Sequence, residues 1–166
     1  MKDENLNIDL IKIENIVITN AQFNNDTELT FLDNNKYVFD LSHSFNLAIN
    51  NEQKKIRLTF SCSIKTFEKE TKNEVLINAN FDIAFFFSIE NLAVLLGSGP
   101  EFESNSELII TISNIAYSTS RGIIFTRCQG TILKDILLPI MPADKIINMF
   151  QTKEQKKSPS KKSAKK

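Results

Sequence analysis

Four groups of residues carry side chains capable of chemistry, and none is spaced to perform it. His43 is the only histidine. No second histidine or cysteine lies at ligand spacing, so the imidazole reads as a packed, hydrogen-bonded core residue within KYVFDLSHSFNLAIN, not as a metal ligand or a base. Cys62 and Cys128 sit in apolar patterns without a CxxC pair and read as reduced, packed thiols. GSGP at 97–100 has no following helical pattern and no lysine, and the chain has four glycines in all, so no phosphate-cradling loop and no use of ATP are expected. Arg121, in SRG at 120–122, reads as a helix-surface cation paired with an acid in preference to a phosphate contact. No catalytic residue, metal or cofactor is expected, and no enzymatic activity. Function must be sought in surfaces.

The elements that would build those surfaces are legible from periodicity. Residues 36–50 place Phe39, Leu41, His43, Phe45, Leu47 and Ile49 opposite Asp40, Ser42, Ser44, Asn46 and Asn50, a period of two that marks a half-buried strand. The signal repeats with Ile56, Leu58, Phe60, Cys62 and Ile64, and again from Glu74 to Ile89, whose odd face runs from Val75 to Ile89. The linkers NNEQKK and EKETKN are hairpin-like. LIKIENIVITNAQF at 10–23 makes a less regular strand with a bulge near Ile16 to Ile18, and the longer connection after Ala21 has room to cross over.

The stretch NIAYSTSRGIIFTRCQGTILKDILLP, at 114–139, is rich in β-branched residues yet spaces its apolar positions helically. Leu108, Ile112, Ile115, Tyr117, Thr119, Ile123 and Thr126 fall near one stripe, which predicts a helix over 106–127 held by packing and not by propensity. Gly130 is its stop. ADKIINMFQTKEQKK forms a last amphipathic helix with Pro142 near its first turn. The fold class is α+β: a four-stranded, mainly antiparallel sheet followed by two helices.

At 166 residues the chain has room for one domain. We expect a flexible N-terminus at 1–9, the folded domain at 10–152 and a disordered lysine-rich tail at 153–166. Six lysines lie in the last eleven residues; the other fourteen basic residues face twenty acids, so an acidic body near −6 bears a basic tail. That tail suits solubility or a tether to nucleic acid or an anionic surface. No unbroken apolar run of transmembrane length and no signal-peptide pattern are read, and a cytoplasmic location is expected. Thirteen phenylalanines without a tryptophan exceed what two helices should hide, which points to self-association.

With strands and helices in this order, the chain resembles the SecB family of protein-export chaperones from about Ile11 to Phe150. The resemblance rests on FFSI at 86–89 and on IAYSTSRGIIF followed by ILLPIMPADKII, with Ala116, Arg121, Pro139 and Asp144 at the family's characteristic places. It implies an ATP-independent holdase that takes unfolded or nascent, pre-secretory polypeptides into apolar grooves and assembles as a dimer of dimers, a homotetramer. It implies that Ala79, Phe81 and Ile83 of the long strand bear on assembly, and the apolar stripe of the long helix, larger than one subunit should bury, adds Ile112 and Ile123 to the expected interface between subunits. From the character of the residues, the client groove is expected between the last helix and the segment 31–45, on Phe31, Phe39, Leu41, Phe45, Ile146, Met149 and Phe150, the alternative being that these side chains form a closed core under the helix. Where the family carries carboxylates that meet the secretion motor ATPase, this chain has Asn15, Thr19 and Asn80, all uncharged, which weighs against docking to that partner. The competing readings are a small-molecule or lipid carrier or hot-dog-like enzyme, and a specialised chaperone of a toxin–antitoxin system.

Overall fold

The computed structural model describes residues 6–25, 36–96 and 106–155. Four long strands, β1 (Ile11–Asn24), β2 (Tyr37–Asn50), β3 (Lys55–Glu68) and β4 (Glu74–Ile89), precede a short helix α1 (Leu92–Leu96), a long helix α2 (Ser106–Cys128) and a last helix α3 (Ala143–Gln155). The strands form one antiparallel sheet in the order β1-β4-β3-β2. Strands β2, β3 and β4 are joined by tight turns, whose geometry requires left-handed backbone at Lys54 and Lys72. The chain leaves β1 at one edge and enters β2 at the other, so the longer connection does cross the sheet.

Alternation along each strand sorts side chains onto two faces. One face carries Ile56, Leu58, Phe60, Cys62 and Ile64 of β3 and Ile77 to Ile89 of β4, all buried. The opposite face is mostly Ser, Asn, Thr and Lys. Its apolar members behave differently from one another: Leu76 is 74% exposed, Ala84 is buried between strands, and the Phe86 ring lies under the Arg57 guanidinium. β1 slips register twice, between Ile13 and Asn15 and between Ile18 and Asn20, so two bulges flank the position where one was expected.

α2 answers the ambiguity of 114–139 in favour of helix, but its buried stripe differs from the expected one. Leu108, Ile112, Ala116, Ser120, Ile124 and Cys128 recur every four residues and are all buried, with Ile109, Ser113 and Tyr117 beside them. Ile115, Thr119 and Ile123 are only partly buried, and Thr126 is exposed. The physical reason is size: Ala116 and Ser120 let the helix backbone approach the sheet, and a search for large apolar residues passes over them. α2 is also long and apolar enough by composition to cross a membrane, although nearly half of that window is buried inside the fold. The search for unbroken apolar runs did not register it.

The helix stops as expected. Gly130 adopts φ 78°, and Thr131 N–H returns to the Cys128 carbonyl. A looped segment, 129–142, then buries Leu133, Ile136, Leu138 and Met141 before the Pro142 carbonyl accepts from Lys145 and Ile146 at the start of α3. Two boundaries move. Leu6 packs against the core and Asn7 caps a 3-10 turn at Ile8–Leu10, so part of the supposed flexible N-terminus is ordered. α3 continues to Gln155, past the expected domain limit at 152. The lysine run 156–166 and Phe31 lie outside the described residues.

Candidate functional site

The inner face of β2 is less completely covered than those of β3 and β4. Phe39, Leu41, Leu47 and Ile49 are partly buried and pack against the edge of the core. α3 packs against this strand, where the Phe150 ring stacks on Phe45, centroids 5.8 Å apart and planes 15° apart, and Ile146 of the same helix is buried in the core. Beneath it a chain of rings runs inward, Phe45 to Phe60 at 5.3 Å and Phe60 to Tyr117 edge-on at 5.5 Å. Such pairs contribute about 0.5–1.5 kcal/mol each beyond area burial.

The expected client residues therefore divide. Phe45 and Ile146 are closed off, at 1% and 0% exposure. Phe39 and Leu41 on the inner face of β2, and Met149 and Phe150 on α3, are partly accessible, and the Phe45–Phe150 stack brings the two elements together. The seat of α3 is set from α2. The Tyr117 hydroxyl donates to the Pro139 carbonyl at 2.7 Å, and Arg121 Nε donates to the Leu138 carbonyl at 2.9 Å. Arg121 thus binds a backbone carbonyl, correcting the expected pairing with an acid: the 129–142 segment passes close beside the helix, and its carbonyl needs a donor. Tyr117 is held above its usual pKa by burial, with Arg121 pulling the other way.

His43 faces Phe60 and Tyr117, with centroids at 6.3 and 5.9 Å. It is packed as expected but not hydrogen-bonded at Nδ1, which is buried without a partner among the described residues. Burial first, and the nearby Lys145 cation second, lower its pKa. Both cysteines are free and buried; burial chiefly, with Cys128 adding to it, pushes the Cys62 thiol up to about 12, so neither is a poised nucleophile. Among the described residues no cluster of three metal-ligating side chains occurs.

Four of the five residues expected between subunits are enclosed within this one. Ala79, Phe81, Ile83 and Ile112 are 0–1% exposed under α2 and its neighbours. Their apolar surface is already used inside the subunit, which leaves Ile123 as the one partly accessible member. Surfaces that alternation did not single out are apolar and open instead: Ile13, Ile16, Val17 and Phe23 on β1, and Leu137 and Ile140 between α2 and α3. Ile140 was legible in principle, because Pro139 and Pro142 bracket it and deny that stretch a helix.

The outer face of the sheet holds a shallow concavity of about 460 Å³ lined by Asn20, Gln22, Ser42, Ser61, Asn80 and Asp82. Ser61 Oγ and Asn20 Nδ2 both donate to the Asp82 carboxylate. Thr19 Oγ1 donates to the Asp82 carbonyl, and Asn15 Oδ1 accepts from the Ile16 amide at the first bulge. Asn80 lines the concavity and Thr19 reaches the Asp82 backbone, whereas Asn15 lies further along β1, opposite Phe86.

No family model and no curated protein matches the sequence. Among solved structures, the chain is similar to the SecB-like chaperone Rv1957 of Mycobacterium tuberculosis, determined in complex with a ChAD peptide from the Rv1956 HigA1 antitoxin. The TM-score is 0.59 at 15% identity, over 81% of this chain and 92% of that one. A protein of unknown function from Streptococcus agalactiae aligns with a TM-score of 0.32 at 9% identity, covering 78% of this chain and 97% of that one, too distant to carry an argument. The fold is SecB-like: a four-stranded antiparallel sheet followed by helices.

Proposed function

We propose that this protein is an ATP-independent chaperone that holds unfolded or nascent polypeptides in the trough between β2 and α3. The observation that carries this reading is the partly open set of Phe39 and Leu41 on β2 with Met149 and Phe150 on α3, where the Phe45–Phe150 stack joins the two elements, on a SecB-like fold. Phenylalanine supplies large apolar area with few rotors, and methionine adapts to varied side chains, which suits weak selectivity among clients. The solved neighbour holding an antitoxin peptide supports a polypeptide as ligand. A carrier or hot-dog-like enzyme would need an enclosed cavity or a poised polar set; among the described residues the polar cluster around Asp82 lies on the outer face of the sheet, away from α3.

Within that reading, the specialised role is favoured over general export. Asn15, Thr19 and Asn80 offer the secretion motor no charge, and the neighbour's peptide comes from an antitoxin. The chaperone assembles with itself, as a homotetramer, through apolar surface that the single subunit leaves open on β1 and α2.

The test is the double variant Met149→Ser with Phe150→Ser. Both side chains are partly exposed, so the expected outcome is loss of aggregation suppression toward a slow-folding client with the main melting transition retained. A collapse of that transition would place the two residues in the closed core and remove the trough from consideration.

A further inference from the structure

α3 sits over the imidazole of β2. Phe150 stacks on Phe45, and Ile146, one helical turn earlier, is buried in the core. His43 precedes Phe45 by two residues on the same face of β2. Two strand residues and four helical residues cover nearly the same length, about 6.7 and 6 Å, so the turn of α3 that carries Lys145 and Ile146 falls over His43. Lys145 accordingly acts on the ring. The groups around it offer an imidazolium no counter-charge. Phe60 and Tyr117 pack against it, with centroids at 6.3 and 5.9 Å. Cys62 lies directly across the β2–β3 pair and stays a neutral thiol, its pKa pushed up to about 12. From α2, the Tyr117 hydroxyl is spent on the Pro139 carbonyl, and Arg121, one turn further, is a second cation. Asp40 stands three residues away, but alternation puts it on the opposite face of β2, and Asp144 is exposed on the first turn of α3. Nδ1 is buried with no hydrogen-bond partner among the described residues.

We propose that His43 is an acid-operated latch on α3, which seats the helix on β2 while the ring is neutral and releases it when the ring is protonated. Protonation puts a charge on the ring, gives Nδ1 an N–H for which no acceptor is at hand, and sets it against Lys145. α3 is the element that yields. Phe60 is fully buried in the sheet and Tyr117 belongs to a helix of 23 residues, whereas α3 is the last element and residues 143–145 are exposed. Its release lets water reach Nδ1 and lets Lys145 move away, so the released form takes the proton more readily than the seated one. The helix is therefore held fully above 6.5, the ring's ordinary pKa, and let go as pH falls toward the lowered pKa of the seated form. The proposal concerns the seat of α3 and holds whatever ligand the protein takes.

The experiment takes the full chain from about pH 7.5 to about pH 5, the range in which histidine titrates. Because His43 is the only histidine, its ring protons give a single assignable NMR titration. Amide exchange, corrected for its intrinsic pH dependence, is read in the same samples along α3, β3 and β4. The latch expects the ring to take up its proton in step with loss of protection in α3, while β3 and β4 keep theirs. His43→Leu should abolish that loss, leaving α3 protected throughout. Lys145→Met should lessen the loss without abolishing it, because burial of the ring, and not the lysine, is the larger influence on it. A parent ring that titrates while α3 protection stays constant would overturn the latch, and this reading needs no variant to fold. An equal loss in parent and His43→Leu would assign the opening to other groups and overturn it too. Protection lost together in α3, β3 and β4 would overturn local release and leave His43 a contributor to global stability alone.

Discussion

At the scale of single residues, the most informative side chain is His43, placed between Phe60 and Tyr117 with a buried Nδ1 and the Lys145 cation nearby. The groups facing it are the Cys62 thiol across the β2–β3 pair, the Tyr117 phenol on α2 and Lys145 on α3, and none is an anion at neutral pH. Its folded pKa is therefore lower than its unfolded value of 6.5. The unfolded chain binds the proton more readily, so the associated stability is fully present above that unfolded value and is lost as pH falls toward the folded one. The melting temperature should decline between about pH 7 and pH 5, before most carboxylates titrate. His43→Leu should flatten that limb, and an identical decline in variant and parent would show that His43 is not its source. The sequence made His43 recognisable as a packed residue, because it shares the odd face of β2 with Phe39, Leu41, Phe45, Leu47 and Ile49. It gave no sign of the missing partner at Nδ1, which depends on where α2 and α3 come to rest.

At the scale of elements, α3 is a roof whose position is fixed more by α2 and the 129–142 segment than by its own contacts with β2. Tyr117 donating to Pro139 is the main directed contact, and Tyr117→Phe leaves that carbonyl without its donor. A loss of about 1–2 kcal/mol is expected. It should appear as a modest fall in melting temperature together with faster amide exchange in α3 than in the sheet. Exchange that rises equally in α3 and β3 would show that the segment is not a local hinge. Strand positions, both hairpin turns, the crossing connection, the stop at Gly130 and the start of α3 after Pro142 were legible, since each follows from alternation or from backbone chemistry at one or two residues. The buried stripe of α2 was not. Ala116 and Ser120 carry it by being small, and only the distance between helix and sheet makes small residues informative. The short helix α1 was also passed over, because LAVLL directly after a long strand has too few residues to show a period.

At the scale of the whole molecule, alternation marked Ala79, Phe81 and Ile83, and helical spacing marked Ile112, as apolar-facing but could not say which surface they face; one subunit is enough to enclose them. Ile112→Asp should therefore prevent folding, since an unpaired buried charge costs several kcal/mol. Ile123→Asp should leave a folded subunit of smaller assembled mass. Circular dichroism and light scattering read the two outcomes, and a folded Ile112→Asp protein or an Ile123→Asp protein of unchanged mass would refute the respective placements. The larger claim is that the incompletely covered face of β2 exists to hold other polypeptides, with neither nucleotide nor metal. Its most direct measurement is light scattering from a reduced, slow-folding client diluted from denaturant, with and without this protein and with no ATP present. The account predicts that scattering is suppressed near stoichiometric ratio and that client and chaperone elute together. Undiminished aggregation at a several-fold excess of folded, assembled protein would contradict it.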